Sequence, residues 1–336
     1  MNIYDVSEKA GVSIATVSRV INGNSYVREK TKLKVLTAIK ESGYTPNAFA
    51  RGLGLNTMKT VGILCAASSD PYIASAVFFI EQRLKAFQYD SLLCCTGFDT
   101  ANKEKYMNLL LSKRTDAIIL VGSNFVEAEE VKNQYIRQAS LSVPVMIINA
   151  ALDGDNIYST LCEDDRAVYD ATYALQSSGH KDILFLYNAK SYSGNKKLEG
   201  FITAREAYSG TLLDRETYVH YLPGNINTVK QYLNVLYQKG LKFDAVITAD
   251  DSLAVGALKF AREQKLSVPD ELSIIGYNNS IIAECSDPEL TSIDNKLEAV
   301  CSHCVNTLMR VFQKEEMPHR TVFSAEIIKR GTTCFD

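Results

Sequence analysis

Apolar positions in the first part of the chain recur at helical spacing. Val6 and Ala10 share one face of a short segment, and Val17, Val20 and Ile21 share one face of the next, the three-to-four-residue period of amphipathic helices. Gly11 suits a tight turn between them, Ser13 is placed to cap the second helix by accepting from its free N–H groups, and Gly23 to stop it. With the two apolar faces closed on each other, Ile14, Ala15, Thr16, Ser18, Arg19 and Asn22 remain outward. A surface of this size and kind fits a DNA major groove. A third helix is predicted over about 29–42, with Leu33, Val35, Leu36 and Ile39 inward and Gly43 as its stop.

The pattern then changes twice. Over 47–55 a helix is conceivable, but Gly52 and Gly54 each cost about 1 kcal/mol against Ala in a helix too short to hold alone. The segment is expected to be disordered without a partner. Beyond residue 60, short apolar runs at 61–66, 90–95, 116–121, 143–149, 182–187, 216–221, 244–249 and 272–276 alternate with amphipathic stretches near 73–88, 102–112, 128–140, 165–178, 195–208, 227–239, 251–265 and 295–314. Strand–helix alternation calls for parallel sheets covered on both faces, and two successive sets of about four units suggest two similar lobes. Their shared cleft is expected at the carboxyl ends of the strands. The fold class is therefore α/β: a three-helix helix-turn-helix headpiece followed by a two-lobed body with parallel sheets.

Charge sharpens this division. The whole chain carries −3, yet residues 1–60 carry +5, which leaves −8 on the rest. A basic module on an acidic body favours phosphate contact through the module alone. No segment approaches the roughly 20 apolar residues of a membrane span, and the N-terminus carries Asp5 and Glu8 without an apolar signal core. A cytoplasmic protein without a membrane role is expected. The eight cysteines fall mostly in apolar runs, as reduced, packing thiols do. Cys301-Ser302-His303-Cys304 has half of a zinc pattern, but no second CxxC or spaced histidine pair completes it. Packing of an amphipathic helix is the reading adopted, with no metal and no cofactor expected.

The first 23 residues and Tyr44-Thr45-Pro46-Asn47-Ala48-Phe49-Ala50-Arg51-Gly52-Leu53 closely resemble the lactose-repressor/galactose-repressor family of bacterial transcription regulators. Further segments resemble family landmarks in order along almost the whole chain. They include Thr60-Val61-Gly62-Ile63, Gly200-Phe201, Ala249-Asp250-Asp251-Ser252-Leu253-Ala254-Val255-Gly256, Val268-Pro269-Asp270-Glu271-Leu272, Pro288-Glu289-Leu290-Thr291 and Arg330-Gly331-Thr332-Thr333. The resemblance implies a headpiece over 1–46, a hinge over 47–59 and an effector-binding core over 60–336. It also implies that the chain recrosses between the lobes near 290–295 and 318–322, so that about 60–160 joins 293–320 and 161–292 joins 321–336.

On the resemblance, Tyr4, Ser13, Thr16, Ser18 and Asn22 match phosphate-positioning residues, and Ile14, Ala15 and Arg19 match variable base-reading positions. Arg19 can pair with guanine O6 and N7, whereas Ile14 and Ala15 offer only apolar contact. Asn47, Ala50 and Leu53 are further DNA-contacting candidates, Ala50 and Leu53 matching residues that wedge into the minor groove and bend the duplex. For the effector, Asp70, Tyr72, Ser123, Asn149, Ser193, Lys197, Asp250, Asn278 and Asn295 match cleft positions that bind sugars or nucleobases. The chain departs from the family with Asn278 and Asn149 where Asp is frequent, Lys197 where Arg is frequent and Ile226 where sugar binders often place an aromatic. Lys keeps the charge but lacks the planar fork of Arg. Asp251 could serve as a helix N-cap, and Asn278 and Asn279 as turn residues.

The function expected is a DNA-binding regulator, a repressor acting as a homodimer on a palindromic operator and controlled by a small molecule, a sugar or related metabolite. A corepressor or a protein partner could take that molecule's place. A solute-binding protein without a DNA role would fit the body but leaves the basic headpiece unused. No GxSxG elbow, P-loop, HExxH or GxGxxG after the first strand occurs, and the four histidines are scattered. Catalysis is not expected.

Overall fold

A computed structural model of the chain describes residues 2–21, 26–44 and 57–334. Two compact units are present, Met1–Thr60 with Arg114–Asp116, and Val61–Lys113 with Ala117–Asp336. The expected cap Gly23, the candidates Asn22, Asn47, Ala50 and Leu53, and most of the expected 47–59 hinge lie outside the described residues.

The first unit contains α1 (Ile3–Ala10), α2 (Ile14–Ile21) and α3 (Glu29–Ser42). Asn2 opens α1 with a capping box: its side chain accepts from the N–H groups of Tyr4 and Asp5, and the Asp5 carboxylate accepts from the Asn2 N–H at 2.7 Å. Gly11 ends α1 at φ 62°, a left-handed turn that a side chain would strain. Val6, Ala10, Val17, Val20, Val35 and Ala38 form the buried core. On α3 the inward face is therefore Val35 with Ala38, flanked by Ile39, and not Leu33 and Leu36, which are 63% and 46% exposed. Small residues let three short helices approach closely, and the larger leucines are left outside that contact.

The second unit holds two six-stranded sheets. The first has the order β11-β5-β4-β3-β1-β2, from β1 (Thr60–Cys65), β2 (Asp90–Cys95), β3 (Ala117–Val121), β4 (Val145–Ile148), β5 (Ile157–Cys162) and β11 (Arg320–Phe323). The second repeats it as β12-β10-β9-β8-β6-β7, from β6 (Ile183–Tyr187), β7 (Val219–Tyr221), β8 (Ala245–Thr248), β9 (Ser273–Tyr277), β10 (Thr291–Asp294) and β12 (Glu326–Ile328). The pairings are parallel where register is defined, except that β12 runs antiparallel to β10. The central strands are buried on both faces, as the unbroken apolar runs of β3 and β6 require.

Helices cover both sheets: α4 (Pro71–Ala86), α5 (Thr100–Ser112), α6 (Gln134–Ser140), α7 (Asp164–Ser177), α8 (Tyr192–Ser209), α9 (Arg215–Tyr218), α10 (Ile226–Gln238), α11 (Asp251–Gln264), α12 (Ile281–Cys285) and α13 (Leu297–Phe312). The amphipathic stretch expected at 128–140 is divided into a 3-10 turn, Glu130–Asn133, and α6. Cys301 and Cys304 point into the core beneath α13, where apolar packing accounts for them.

The chain passes from one sheet to the other three times, after β5, after β10 and after β11. The last passage lies between Phe323 and Glu326, a few residues beyond the expected 318–322, because 320–323 pairs in parallel with Ser159–Cys162. The stretch 320–323 thus belongs to the first sheet, although most of it was expected in the second lobe. In both sheets the strand order reverses beside the first strand, between β1 and β3 and between β6 and β8. Doubly wound sheets bind ligands at such switch points, beyond the carboxyl ends of the strands.

Candidate nucleic-acid interface and effector cleft

Ser13 stands immediately before α2, and its hydroxyl accepts from the Thr16 N–H at 3.3 Å and lies 2.9 Å from the Thr16 hydroxyl. The turn is closed from the other side by the Ser7 hydroxyl, which donates to the Val12 carbonyl at 2.6 Å. With Val17 and Val20 buried, Ala15 and Arg19 stand exposed on the opposite face of α2, Ile14 is exposed in its first turn, and Thr16 and Ser18 are half-buried. Ile14 points outward at 38% exposure, and Tyr4 at the start of α1 is 66% exposed. The described candidates on α2 and at its cap are thus exposed or half-buried, as is Tyr4 on α1.

In the second unit a cleft of about 760 Å³ opens beyond the strand ends of both sheets. Eight of the nine effector candidates line it, Asp70, Tyr72, Ser123, Asn149, Ser193, Lys197, Asp250 and Asn278. Asn295 does not. It is 3% exposed, and its side-chain N–H donates to the Asn278 side-chain oxygen Oδ1 at 3.0 Å, which places it behind a lining residue. Asn149 and Asn278 adopt left-handed backbone conformations, φ 69° and 95°, which Asn tolerates better than most residues.

Much of this polarity is already committed. Asp70 caps α4 by accepting from the Ile73 N–H at 3.1 Å. Asp250, and not Asp251, caps α11: it accepts from the Leu253 N–H at 3.0 Å and from the Asn188 amide at 2.6 Å. Burial pushes its carboxyl above the usual range despite these bonds and the Lys197 charge. Asp251 instead accepts from the Ser280 N–H at 2.8 Å, the Ser280 hydroxyl at 2.7 Å and the Ser292 hydroxyl at 2.6 Å. Lys197 is 6% exposed; its ammonium donates to the Ala249 carbonyl at 2.9 Å and lies 3.5 Å from the centre of the Tyr277 ring. Burial pulls its pKa down, opposed chiefly by the Asp164 and Asp250 charges.

Several participants have no counterpart in the sequence reading. Asn188 follows β6 as Ser123 follows β3, so each is among the first polar residues beyond a buried strand. Asn225 caps α10 and lines the cleft. Asp164, 4% exposed, accepts from the Tyr277 hydroxyl beneath Lys197, and burial raises its carboxyl. Between the lobes the Ser123 hydroxyl donates to the Ser191 hydroxyl at 2.8 Å. Among the described residues no cluster of three or more His, Cys, Asp or Glu could hold a metal, and no helix is long and apolar enough to cross a membrane.

Residues 2–47 match the model for bacterial regulatory proteins of the lacI family, and 172–333 match a periplasmic binding protein-like domain. An HTH-type transcriptional regulator from Lachnoclostridium phytofermentans is 54% identical over 335 residues, 100% of both chains. The chain belongs to the LacI family. Catabolite control protein A of Priestia megaterium, 30% identical, aligns over 96% of this chain and 98% of its own. Among solved structures, the lac repressor dimer bound to operator and an anti-inducer matches with a TM-score of 0.88, covering 99% of this chain and 98% of that one at 22% identity. The CelR–cellobiose complex matches at 0.71, covering 99% and 100% at 24% identity. This LacI-family chain is a DNA-binding transcriptional regulator. The match of residues 2–47 sets aside a solute-binding protein without a DNA role.

Proposed function

We propose that this protein is a cytoplasmic repressor that binds a palindromic operator as a homodimer, under the control of a small neutral polyhydroxy ligand held between its lobes. The observation that carries the ligand reading is the convergence of polar side chains from both sheets on one cleft at their two switch points. A ligand bonded to both lobes changes the free energy of their arrangement. Coupling of that kind is reciprocal, so operator and ligand alter each other's affinity by the same factor.

The lining favours a sugar over an anion. Asp70 and Asp250 would repel phosphate, while Lys197 is buried and donates to a backbone carbonyl. Asn149 and Asn188 offer both donors and acceptors, and Asn225, whose oxygen caps α10, offers donors, as alternating hydroxyls require. Ile226 supplies an aliphatic wall where an aromatic would stack a sugar ring more tightly. Two structural neighbours carry related compounds, cellobiose in CelR and ONPG in the lac repressor.

On DNA, α2 enters the major groove with Arg19 on guanine, Ile14 and Ala15 on apolar base edges, and Tyr4, Ser13, Thr16, Ser18 and Asn22 on the backbone. Asn47, Ala50 and Leu53 contact DNA from the segment between headpiece and core, Ala50 and Leu53 in the minor groove. Domain limits of 1–46, 47–59 and 60–336 belong to the same reading. The test is fluorescence anisotropy on a duplex selected by the protein, titrated with neutral mono- and disaccharides and with their phosphates. A neutral sugar is expected to shift operator affinity. A shift produced by phosphorylated compounds alone, with operator binding otherwise intact, would overturn the ligand class.

A further inference from the structure

Cys65 ends β1 and Cys95 ends β2, two neighbouring strands at the edge of the first sheet. Their sulfur atoms are 3.7 Å apart. Cys65 is fully buried, whereas Cys95 is exposed. Cys94, one position earlier, packs against the cluster on the other face of the sheet and is not part of the pair. Beyond the strand ends the backbone is joined by the Thr96 N–H to the Cys65 carbonyl at 2.8 Å and the Gly97 N–H to the Ala66 carbonyl at 2.9 Å. Ala66, Ala67 and Phe98 are cleft-lining residues, so the two thiols stand at the rim of the effector site.

We propose that Cys65 and Cys95 form a reversible dithiol–disulfide pair, oxidised by a hydroperoxide, that fastens β1 to the edge strand at the rim of the cleft. The Cys95 thiolate attacks one peroxide oxygen; the O–O bond breaks, hydroxide leaves and a sulfenic acid forms on Cys95. The Cys65 sulfur then attacks the Cys95 sulfur and the S–O bond breaks. The proton of Cys65 and the departing hydroxide make water, so two thiols and one hydrogen peroxide become one disulfide and two waters. A thiol reductant reverses the reaction by exchange. Closing the gap to the disulfide length of about 2 Å requires side-chain rotation on adjacent strands.

The two environments differ in the direction this order requires. Partial burial pushes Cys95 up, but hydrogen bonds from the Ser68 side chain, Cys65 and the Ser68 backbone outweigh it and bring the thiol below its usual value. Burial, with the neighbouring Cys95, pushes Cys65 up to about 12. The exposed sulfur is the one more often ionised, and reactivity follows ionisation and access.

The experiment treats the reduced full-length protein with a stoichiometric amount of hydrogen peroxide. Free thiols are counted, intact mass is measured and peptides are mapped without reduction. Two thiols are expected to disappear, with a mass loss of two hydrogens, one peptide linking Cys65 to Cys95 and full reversal by dithiothreitol. Cys95→Ser and Cys65→Ser should abolish the link and Cys94→Ser should retain it, each variant first checked for a wild-type circular dichroism spectrum. Slower amide exchange at Thr96 and Gly97 in the oxidised protein is the expected sign that the link reaches the rim. A link formed between two chains through Cys95, sulfinic acid at Cys95 without a link, or loss of two thiols in Cys95→Ser would overturn the pair. Unchanged exchange at Thr96 and Gly97 would overturn its reach to the cleft.

Discussion

On α2 the residues proposed to read DNA are outward and separate from the packing that holds the helix, whereas in the cleft the polar groups that could meet a ligand also hold the lobes' own loops. Val17 and Val20 bind α2 to its neighbours while Ile14, Ala15 and Arg19 remain exposed. Asp70 and Asp250, by contrast, face the cleft and cap α4 and α11 at once. The difference separates two ways of changing specificity. Substitutions on the helix face should alter which bases are preferred with little effect on folding. Substitutions among the cleft carboxylates should alter folding and binding together.

The largest effect that would sharpen this contrast is expected at Asp251. It is 2% exposed and accepts three hydrogen bonds from Ser280 and Ser292. Asp251→Ala leaves those donors unpaired and should cost about 3 kcal/mol, read as a lower urea midpoint by circular dichroism. Arg19→Ala comes next, on the other surface. It should cost about 2 kcal/mol of operator binding and relax preference at one position of each half-site, with the urea midpoint unchanged. A loss of stability comparable to that of Asp251→Ala would erase the comparison. Asn2→Ala removes the capping box of α1 and should cost about 1 kcal/mol of headpiece stability. Thermal melting followed by backbone amide signals of the headpiece would report it.

The smallest effect concerns pH. Asp164, Asp250 and Asp251 are pushed above the ordinary value of 3.8 by burial. Between that value and the raised ones the folded chain holds more protons than the unfolded chain, so stability falls as pH rises through this window. The contribution is complete below 3.8 and is lost above the folded values. Asp250→Asn should flatten the decline in urea midpoints measured across the window. An unaltered slope would mean that burial does not raise the Asp250 carboxyl.

What was legible in the sequence follows the same division. A helix that meets its partner through Gly11 and Ser13 is set by local spacing, and so is the face it turns outward. The central strands were legible because a strand buried on both sides is an apolar run, as in Ala117–Val121 and Ile183–Tyr187. β5 escaped notice because Ile157–Cys162 carries Ser159 and Thr160 in its middle, and β11 because Arg320–Phe323 becomes a strand through pairing with distant β5. Val35 is inward as its hydrophobicity suggests, but Ala38 rather than Leu33 or Leu36 stands beside it, because a small residue fits the close helix contact. Eight effector candidates converge on the cleft from many segments because strand ends are where doubly wound sheets leave polar loops. Asn295 was misplaced, and Asn188 and Asp164 missed, because which residue stands in front of which depends on loops brought together from different strands.

The most direct measurement is selection of random DNA duplexes on the purified full-length protein, with Arg19→Ala run in parallel. The account predicts enrichment of a two-fold symmetric site by the wild type, and the same half-site spacing with one relaxed position in each half for the variant. Enrichment of an asymmetric site, or an identical base preference in the variant, would contradict it.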